Sequence, residues 1–124
     1  MFNKHTEKRV DTLICGELRT AKEQHGETFN SLHEAYAVAL EELEEASENV
    51  DMCKYCFRIL WSHIKQDDEE NEIKEYLHKV RNYYVVEAIK ELAQFAAMID
   101  KTLESMRIED AKRENKDIGD AEVL

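Results

Sequence analysis

The sequence predicts an all-α fold, a bundle of four to five helices that associates with copies of itself. The chain has no proline and only three glycines, so few residues interrupt a helix. Apolar residues recur three and four positions apart, which is the period of one helix face. A chain of 124 residues forms a modest core that is often completed by another copy, so we expect a homo-oligomer, either a dimer or a tetramer. The single helical domain is expected over residues 1–106, followed by a charged, flexible tail over residues 107–124.

The first two helices are separated by a short connector. The first is expected over about residues 6–24, where Gly26 ends it. Ser31 and Glu34 have the spacing of a capping box, which predicts that the second helix begins at Leu32. A stripe of apolar residues predicts the core-facing side of this helix: Leu32, Tyr36, Ala39, Leu40 and Leu43.

The rest of the chain predicts further amphipathic helix. A third apolar run either continues the second helix or restarts after Asn49: Val50, Cys53, Phe57, Leu60, Trp61 and Ile64. Residues 66–72 form an acidic connector in which Asp67 and Glu70 are expected to cap the next helix. That helix extends to about Met106, with a kink or a helix boundary in residues 82–86.

Charge and composition limit the partners. The formal net charge is −11, from 17 basic and 28 acidic residues, which argues against binding to nucleic acid or to an anionic membrane. No apolar stretch approaches the roughly 20 residues that span a bilayer, and no signal-peptide pattern is present, so we expect a cytoplasmic protein. Three cysteines do not form a disulfide framework, and reduced thiols are the simplest expectation.

Two acidic stripes on the predicted helices indicate a possible metal site. On a helix, Glu42 and Glu45 share a stripe with Ala35 and Val38, whose apolar side chains suggest that another helix covers this face. A later helix carries a matching stripe: Glu87, Glu91, Gln94 and Met98. Facing carboxylates repel one another unless a cation lies between them, and oxygen ligands of this kind suit Mg²⁺ or Mn²⁺.

These residues carry a family resemblance. The segment Glu41-Glu-Leu-Glu-Glu45 has the EExxE form of the MazG-like all-α nucleoside triphosphate pyrophosphohydrolases. Its flanking residues 31–45 and the later residues 87–100 resemble the short phage and prophage members, and the resemblance covers roughly residues 29–104. It implies hydrolysis of a nucleoside triphosphate between its α and β phosphates, giving a monophosphate and pyrophosphate, with Mg²⁺ held by EExxE and a later ExxD.

The resemblance implies a role for each matching residue. Glu42, Glu45 and Glu91 would be metal ligands, with Glu41 as a supporting carboxylate, and Glu41 or Glu45 would orient the attacking water. Gln94 stands where the family usually has aspartate; its carbonyl oxygen can ligate a metal but adds no charge. The gap between the two motifs is also longer than in compact members.

Phosphate contacts are expected from one basic stripe of the third run, although such a stripe is also typical of a solvated face: Lys54, Arg58 and Lys65.

Other interpretations of these patterns stay open. The acidic run can be a solvated surface, and the chain can be a noncatalytic helical oligomer that acts through protein contacts, or an unrelated acidic adaptor. Cys53 and Cys56 with His63 give a weak zinc pattern, because no second cysteine pair follows. Glu75 and His78 form only half of a di-iron motif.

Overall fold

The structure, a computed structural model, describes the backbone of residues 3–123 and the side chains of residues 3–116. Over this part of the chain it is all-helical, as predicted. The four α-helices are α1 (Lys4–His25), α2 (Leu32–Lys65), α3 (Glu70–Lys79) and α4 (Val86–Val123), with a π-helical segment at Val80–Val85 between the last two. None of the described helices combines the length and the apolar character needed to cross a bilayer.

The chain forms two compact units. The first unit comprises the chain up to Ala39 together with the chain from Ala96 onward, and the second unit is Leu40–Phe95. The predicted division into a domain of residues 1–106 and a flexible tail stays a prediction. The α4 helix itself continues through that boundary to Val123.

The ends of α1 follow from local chemistry. Asn3 caps its first turn, where the Asn3 side chain accepts a hydrogen bond from the Thr6 amide at 2.9 Å. Gly26 ends the helix as predicted, and its amide donates to the Lys22 carbonyl at 2.9 Å. Gly26 has φ 91° and ψ 168°, a backbone region that is essentially restricted to glycine.

The two glycines of this region give a matched prediction. Gly26→Ala is expected to destabilise the protein by about 1–3 kcal/mol, because alanine is strained at a positive φ. Gly16→Ala, in the middle of α1 with no atom within 4 Å of the added Cβ, is expected to stabilise it by about 0.5–1 kcal/mol. Thermal unfolding of both variants checks the opposite signs, and equal shifts would contradict the account.

The α2 helix begins at Leu32 as predicted, with half of the expected capping box. The Ser31 hydroxyl accepts a hydrogen bond from the Glu34 amide at 3.1 Å. The Glu34 carboxylate accepts from the Asn30 side-chain amide at 3.1 Å. The helix then runs unbroken to Lys65, which settles the boundary that the sequence left open after Asn49.

The connector after α2 differs from the prediction. Asp67 and Glu70 do not cap α3; the residue at the cap position is Glu69, and it makes no side-chain capping bond. Asp67 instead adopts φ 57° in the turn, which favours short polar residues such as aspartate. The predicted kink or boundary at residues 82–86 overlaps the π-helical segment Val80–Val85. The irregularity is therefore a short stretch of π-helix.

The predicted core face of α2 is wrong for most of its residues. Three of the residues expected inside are exposed, namely Leu32, Tyr36 and Leu43. The residues that α2 buries are three small ones and one leucine: Ala35, Ala46, Cys56 and Leu60. The helix carries two apolar stripes, one of large side chains and one of mostly small side chains. Because small side chains let a neighbouring helix pack closely, the stripe of lower hydropathy is the one that is buried.

Each unit has its own buried residues. In the first unit, Lys101 is 2 % exposed and its ammonium lies 4.3 Å from the centre of the Phe29 ring, a cation–π contact. The Phe29 amide donates to the Ser105 hydroxyl at 3.0 Å, and Lys22 pairs with Glu104 at 2.5 Å. In the second unit the buried residues are again mostly small: Ala46, Cys56, Leu60, Val80, Ala88 and Ala93.

Candidate metal centre

The second unit brings together the two acidic stripes. Glu42 and Glu45 lie one turn apart on α2, and Glu91 lies on α4. One carboxylate oxygen from each of the three lies within 4.8 Å of the others, and Glu42 and Glu91 are partly buried. The predicted facing of the two stripes therefore holds for these three carboxylates. Ala35 is buried as well, so the α2 face that leads toward Glu42 is covered there, as expected.

Gln94 completes the group. One end of its amide lies 2.9 Å from Glu42 Oε2 and 3.0 Å from Glu91 Oε2. When the amide nitrogen occupies this position, it donates hydrogen bonds to both carboxylates. When the amide oxygen occupies it, three oxygens face one another, and that arrangement becomes favourable when a carboxyl group carries a proton or a cation lies between them. Gln94 can therefore donate to both carboxylates, and a half-turn of its amide group would turn the carbonyl oxygen, a possible metal ligand, toward them.

The spacing of these atoms fits a small divalent cation. In an octahedral site with Mg–O bonds of about 2.1 Å, neighbouring ligand oxygens lie about 3.0 Å apart. The two Gln94 contacts match that separation, which is also the ordinary length of the hydrogen bonds that the amide nitrogen would donate here. Three carboxylates and one amide carbonyl are hard oxygen donors, and no nitrogen or sulfur ligand is among them, which favours Mg²⁺ or Mn²⁺ over zinc or copper.

When no cation is bound, Glu45 and Glu91 hold their protons more tightly than usual, because the pKa of each carboxyl group is raised. A hydrogen bond between the carboxyl groups of Glu45 and Glu91, which needs a proton, is the main cause that raises the pKa of Glu45. Burial is the main cause that raises the pKa of Glu91, followed by its hydrogen bond with Glu42 and by repulsion from Glu42 and Glu87. A cation that binds here must displace these protons, so its affinity rises with pH.

The raised pKa values also predict how the stability of the metal-free protein depends on pH. The folded state binds more protons than the unfolded state between the ordinary carboxyl pKa of 4.5 and the raised values. Stability is therefore expected to fall as pH rises through this window. Urea unfolding over a pH series measures the slope, which Glu45→Gln or saturating Mg²⁺ should reduce and Glu75→Gln should leave unchanged. A slope identical in all four samples would contradict the assignment.

Three neighbouring carboxylates lie around the cluster without joining it, and one of them, the exposed Glu48, contributes by its charge to the raised pKa of Glu45. Glu41 is exposed, and its charge contributes to the raised pKa of Glu45. Glu87 lies one turn before Glu91 on α4 and contributes by repulsion to the raised pKa of Glu91. Among the described residues, the carboxylates that converge at this point are Glu42, Glu45 and Glu91. Glu41, Glu48 and Glu87 thus add negative potential around them.

The predicted phosphate contacts lie elsewhere on α2. Because α2 is unbroken, Lys54, Arg58 and Lys65 stand about 14, 20 and 30 Å along its axis from Glu45. All three are exposed, and the Lys65 ammonium lies 5.7 Å from the centre of the Trp61 ring. The fold of one chain does not bring this basic stripe to the carboxylates, and its role as a phosphate contact stays a prediction.

A second cluster was not foreseen from the sequence. His63 Nδ1 lies 2.7 Å from Asp68 Oδ2 and 3.4 Å from Glu72 Oε2, across the turn that joins α2 to α3. Its hydrogen bond to Asp68 ties the end of α2 to this turn. The only sequence signal was a histidine shortly before an acidic run. The cysteines of the weak zinc pattern take part in neither of the two candidate metal clusters of the described residues.

Comparison of the chain with protein-family models, with curated proteins and with solved structures finds no match. The resemblance to the MazG-like family therefore stays a prediction. The geometry of the four side chains is the observation from which a function can be inferred.

Proposed function

We propose that the chain is a metal-dependent nucleoside triphosphate pyrophosphohydrolase, which converts an NTP or dNTP and water into a monophosphate and pyrophosphate. One observation supports this most strongly: the Glu42, Glu45 and Glu91 carboxylates converge, with the Gln94 amide 2.9 and 3.0 Å from two of them. All four side chains belong to residues 31–45 or 87–100, the two segments that carry the family resemblance.

The four side chains have separate tasks in this proposal. Glu42, Glu45 and Glu91 hold Mg²⁺ or Mn²⁺ by charge, and the Gln94 carbonyl oxygen completes the protein ligands. The bound cation would neutralise phosphate charge and lower the pKa of a water molecule. The second oxygen of Glu45, or the exposed carboxylate of Glu41, accepts a hydrogen bond from the attacking water and orients it toward the phosphorus.

The charge of the chain supports a small phosphorylated substrate that arrives with its cation. A net charge of −11 repels a free triphosphate, and the surroundings of the carboxylates are acidic. A cation bound to the carboxylates offsets this repulsion for a phosphate group beside it, because the two charges are then closer than the roughly 8 Å screening length of physiological salt. A long nucleic acid presents many more phosphates than one such centre can offset.

The direct test is to incubate the protein with each of the eight common nucleoside triphosphates and Mg²⁺, and to measure pyrophosphate and monophosphate. The proposal expects pyrophosphate from at least one nucleotide, and its loss when the metal is chelated. Release of orthophosphate in place of pyrophosphate would contradict it, because the bond broken would then be the outer one. No turnover and no thermal shift with Mg²⁺ or Mn²⁺ would also contradict it.

A second candidate function has its own support. Large apolar side chains are exposed along α2 and α4, including Phe57, Trp61, Ile89 and Leu103. Such a density of exposed apolar residues is typical of an interaction surface. A noncatalytic helical oligomer that acts through protein contacts would use these surfaces and would need no cation. It predicts self-association that chelation leaves unchanged, together with no hydrolysis.

A further inference from the structure

The exposed side of α2 has the spacing of a coiled-coil seam. Within the second unit, eight residues follow one another at alternating steps of three and four, and six of them are apolar: Leu40, Leu43, Ser47, Val50, Lys54, Phe57, Trp61 and Ile64. We name them the seam stripe. A repeat of seven residues with mostly apolar positions at this spacing is the pattern by which two helices pack along their length.

Five of the six apolar residues of the seam stripe are exposed, and the sixth, Leu40, is half-buried. Phe57 and Trp61 are 54 % and 57 % exposed, and Leu43, Val50 and Ile64 are 39–45 % exposed. The buried residues of this unit lie on the neighbouring face of the same helix, where Ala46 and Leu60 border the stripe and Cys56 lies farther from it. The α2 helix therefore has one face packed inside the chain and, beside it, a second, largely apolar face that stays about half exposed.

A row of charged residues flanks the stripe. Each member lies directly after a stripe residue, all four are exposed, and none forms an ion pair within the described residues: Glu44, Asp51, Arg58 and Lys65. The row is acidic in its first half and basic in its second half. Lys65 already lies beside the stripe, with its ammonium 5.7 Å from the Trp61 ring centre.

This order of charges fits an antiparallel copy of the same helix. When two copies of α2 run in opposite directions, Glu44 faces the partner's Lys65 and Asp51 faces the partner's Arg58. Both pairs are centred on the same point of the helix, between Lys54 and Tyr55, so one two-fold axis satisfies them together. A parallel arrangement would place the acidic halves beside each other and the basic halves beside each other, which is unfavourable.

We infer that the seam stripe is the docking surface for a second copy of this chain, which packs antiparallel across a two-fold axis near Lys54. Ser47 and Lys54 are the polar members of the stripe, and polar residues in such a seam fix the register at some cost in stability. Arg58 and Lys65 then act as partners for acidic residues of the other copy. This inference does not depend on the proposed hydrolase activity.

The test uses charge reversal at one pair. Asp51→Lys alone, or Arg58→Glu alone, places like charges opposite each other twice in the dimer, and each change is expected to weaken self-association about tenfold. The double variant D51K/R58E restores opposite charges and is expected to return to wild-type association. An equimolar mixture of the two single variants is expected to form mainly heterodimers. Sedimentation equilibrium of the full chain measures all of these.

The matched control is Glu48→Lys, the same change of charge on an exposed residue of α2 outside the stripe and the charged row. It is expected to associate like the wild type. A wild-type chain that stays monomeric at high micromolar concentration would overturn the inference. So would D51K association equal to that of E48K, or a double variant that is no tighter than its parents. Circular dichroism confirms that each variant keeps its helices.

Discussion

Glu42→Gln is expected to lower pyrophosphate release by about a thousandfold, the scale on which loss of a charge-stabilising group acts in hydrolytic sites. The substitution keeps the size of the side chain and removes one of the three charges that we propose hold the cation. The Gln94 contact at 2.9 Å from Glu42 Oε2 would also change, because an amide replaces the carboxylate. Pyrophosphate measured at saturating nucleotide, over a range of Mg²⁺ concentrations, checks this result.

The control for this prediction is Glu75→Gln, which changes an exposed carboxylate on α3 that is not one of the three converging groups. It is expected to retain activity close to that of the wild type. If excess Mg²⁺ restores Glu42→Gln in part, the defect lies in metal affinity. Full activity of Glu42→Gln at every Mg²⁺ concentration would contradict the assignment of Glu42 as a ligand.

Gln94→Asp is expected to have opposite effects with and without metal. In the metal-free protein a fourth carboxylate joins three that already repel one another, so the free energy of unfolding should decrease. With Mg²⁺ present the added charge should tighten binding, on the order of tenfold or more, and the stabilisation by metal should grow accordingly. Thermal unfolding at several Mg²⁺ concentrations shows whether the two effects differ in sign.

The control is Gln94→Asn, which shortens the side chain by the same methylene group and keeps the amide. It separates the effect of charge from the effect of length. We expect Gln94→Asn to weaken metal binding and Gln94→Asp to strengthen it. Equal losses of stability for both variants, unchanged by Mg²⁺, would show that Gln94 acts as a structural donor to Glu42 and Glu91 and not as a ligand.

The all-helical fold and the convergence of the carboxylates were predictable because both depend on the period of a helix. Glu42 and Glu45 share a stripe at three residues' separation, and Glu91 and Gln94 repeat that spacing on the later helix. Residues on one stripe face the same neighbouring helix. The predicted pairing of the two acidic stripes therefore does not depend on the exact ends of the helices. The π-helical segment before α4 was also foreseen as a boundary, from the β-branched and aromatic residues that crowd a helix.

The core face of α2 was not predictable by the same argument, because the helix has two apolar stripes and hydropathy favours the one that stays exposed. Periodicity cannot tell a stripe that packs inside the chain from one available to another copy. The cluster of His63, Asp68 and Glu72 was missed for a different reason. Its geometry depends on a turn in which Asp67 has a positive φ, and no regular period passes through such a turn.

The proposed activity depends on whether a divalent cation is held by four side chains: Glu42, Glu45, Glu91 and Gln94. Electron paramagnetic resonance of Mn²⁺ titrated into the protein tests it without any substrate, because bound Mn²⁺ loses the sharp signal of the free ion. We expect saturable binding by the wild type that strengthens as pH rises from 4.5, loss of this binding in Glu42→Gln and in Glu91→Gln, and unchanged binding in Glu75→Gln. Equal binding by all four proteins, or none by the wild type, would contradict it.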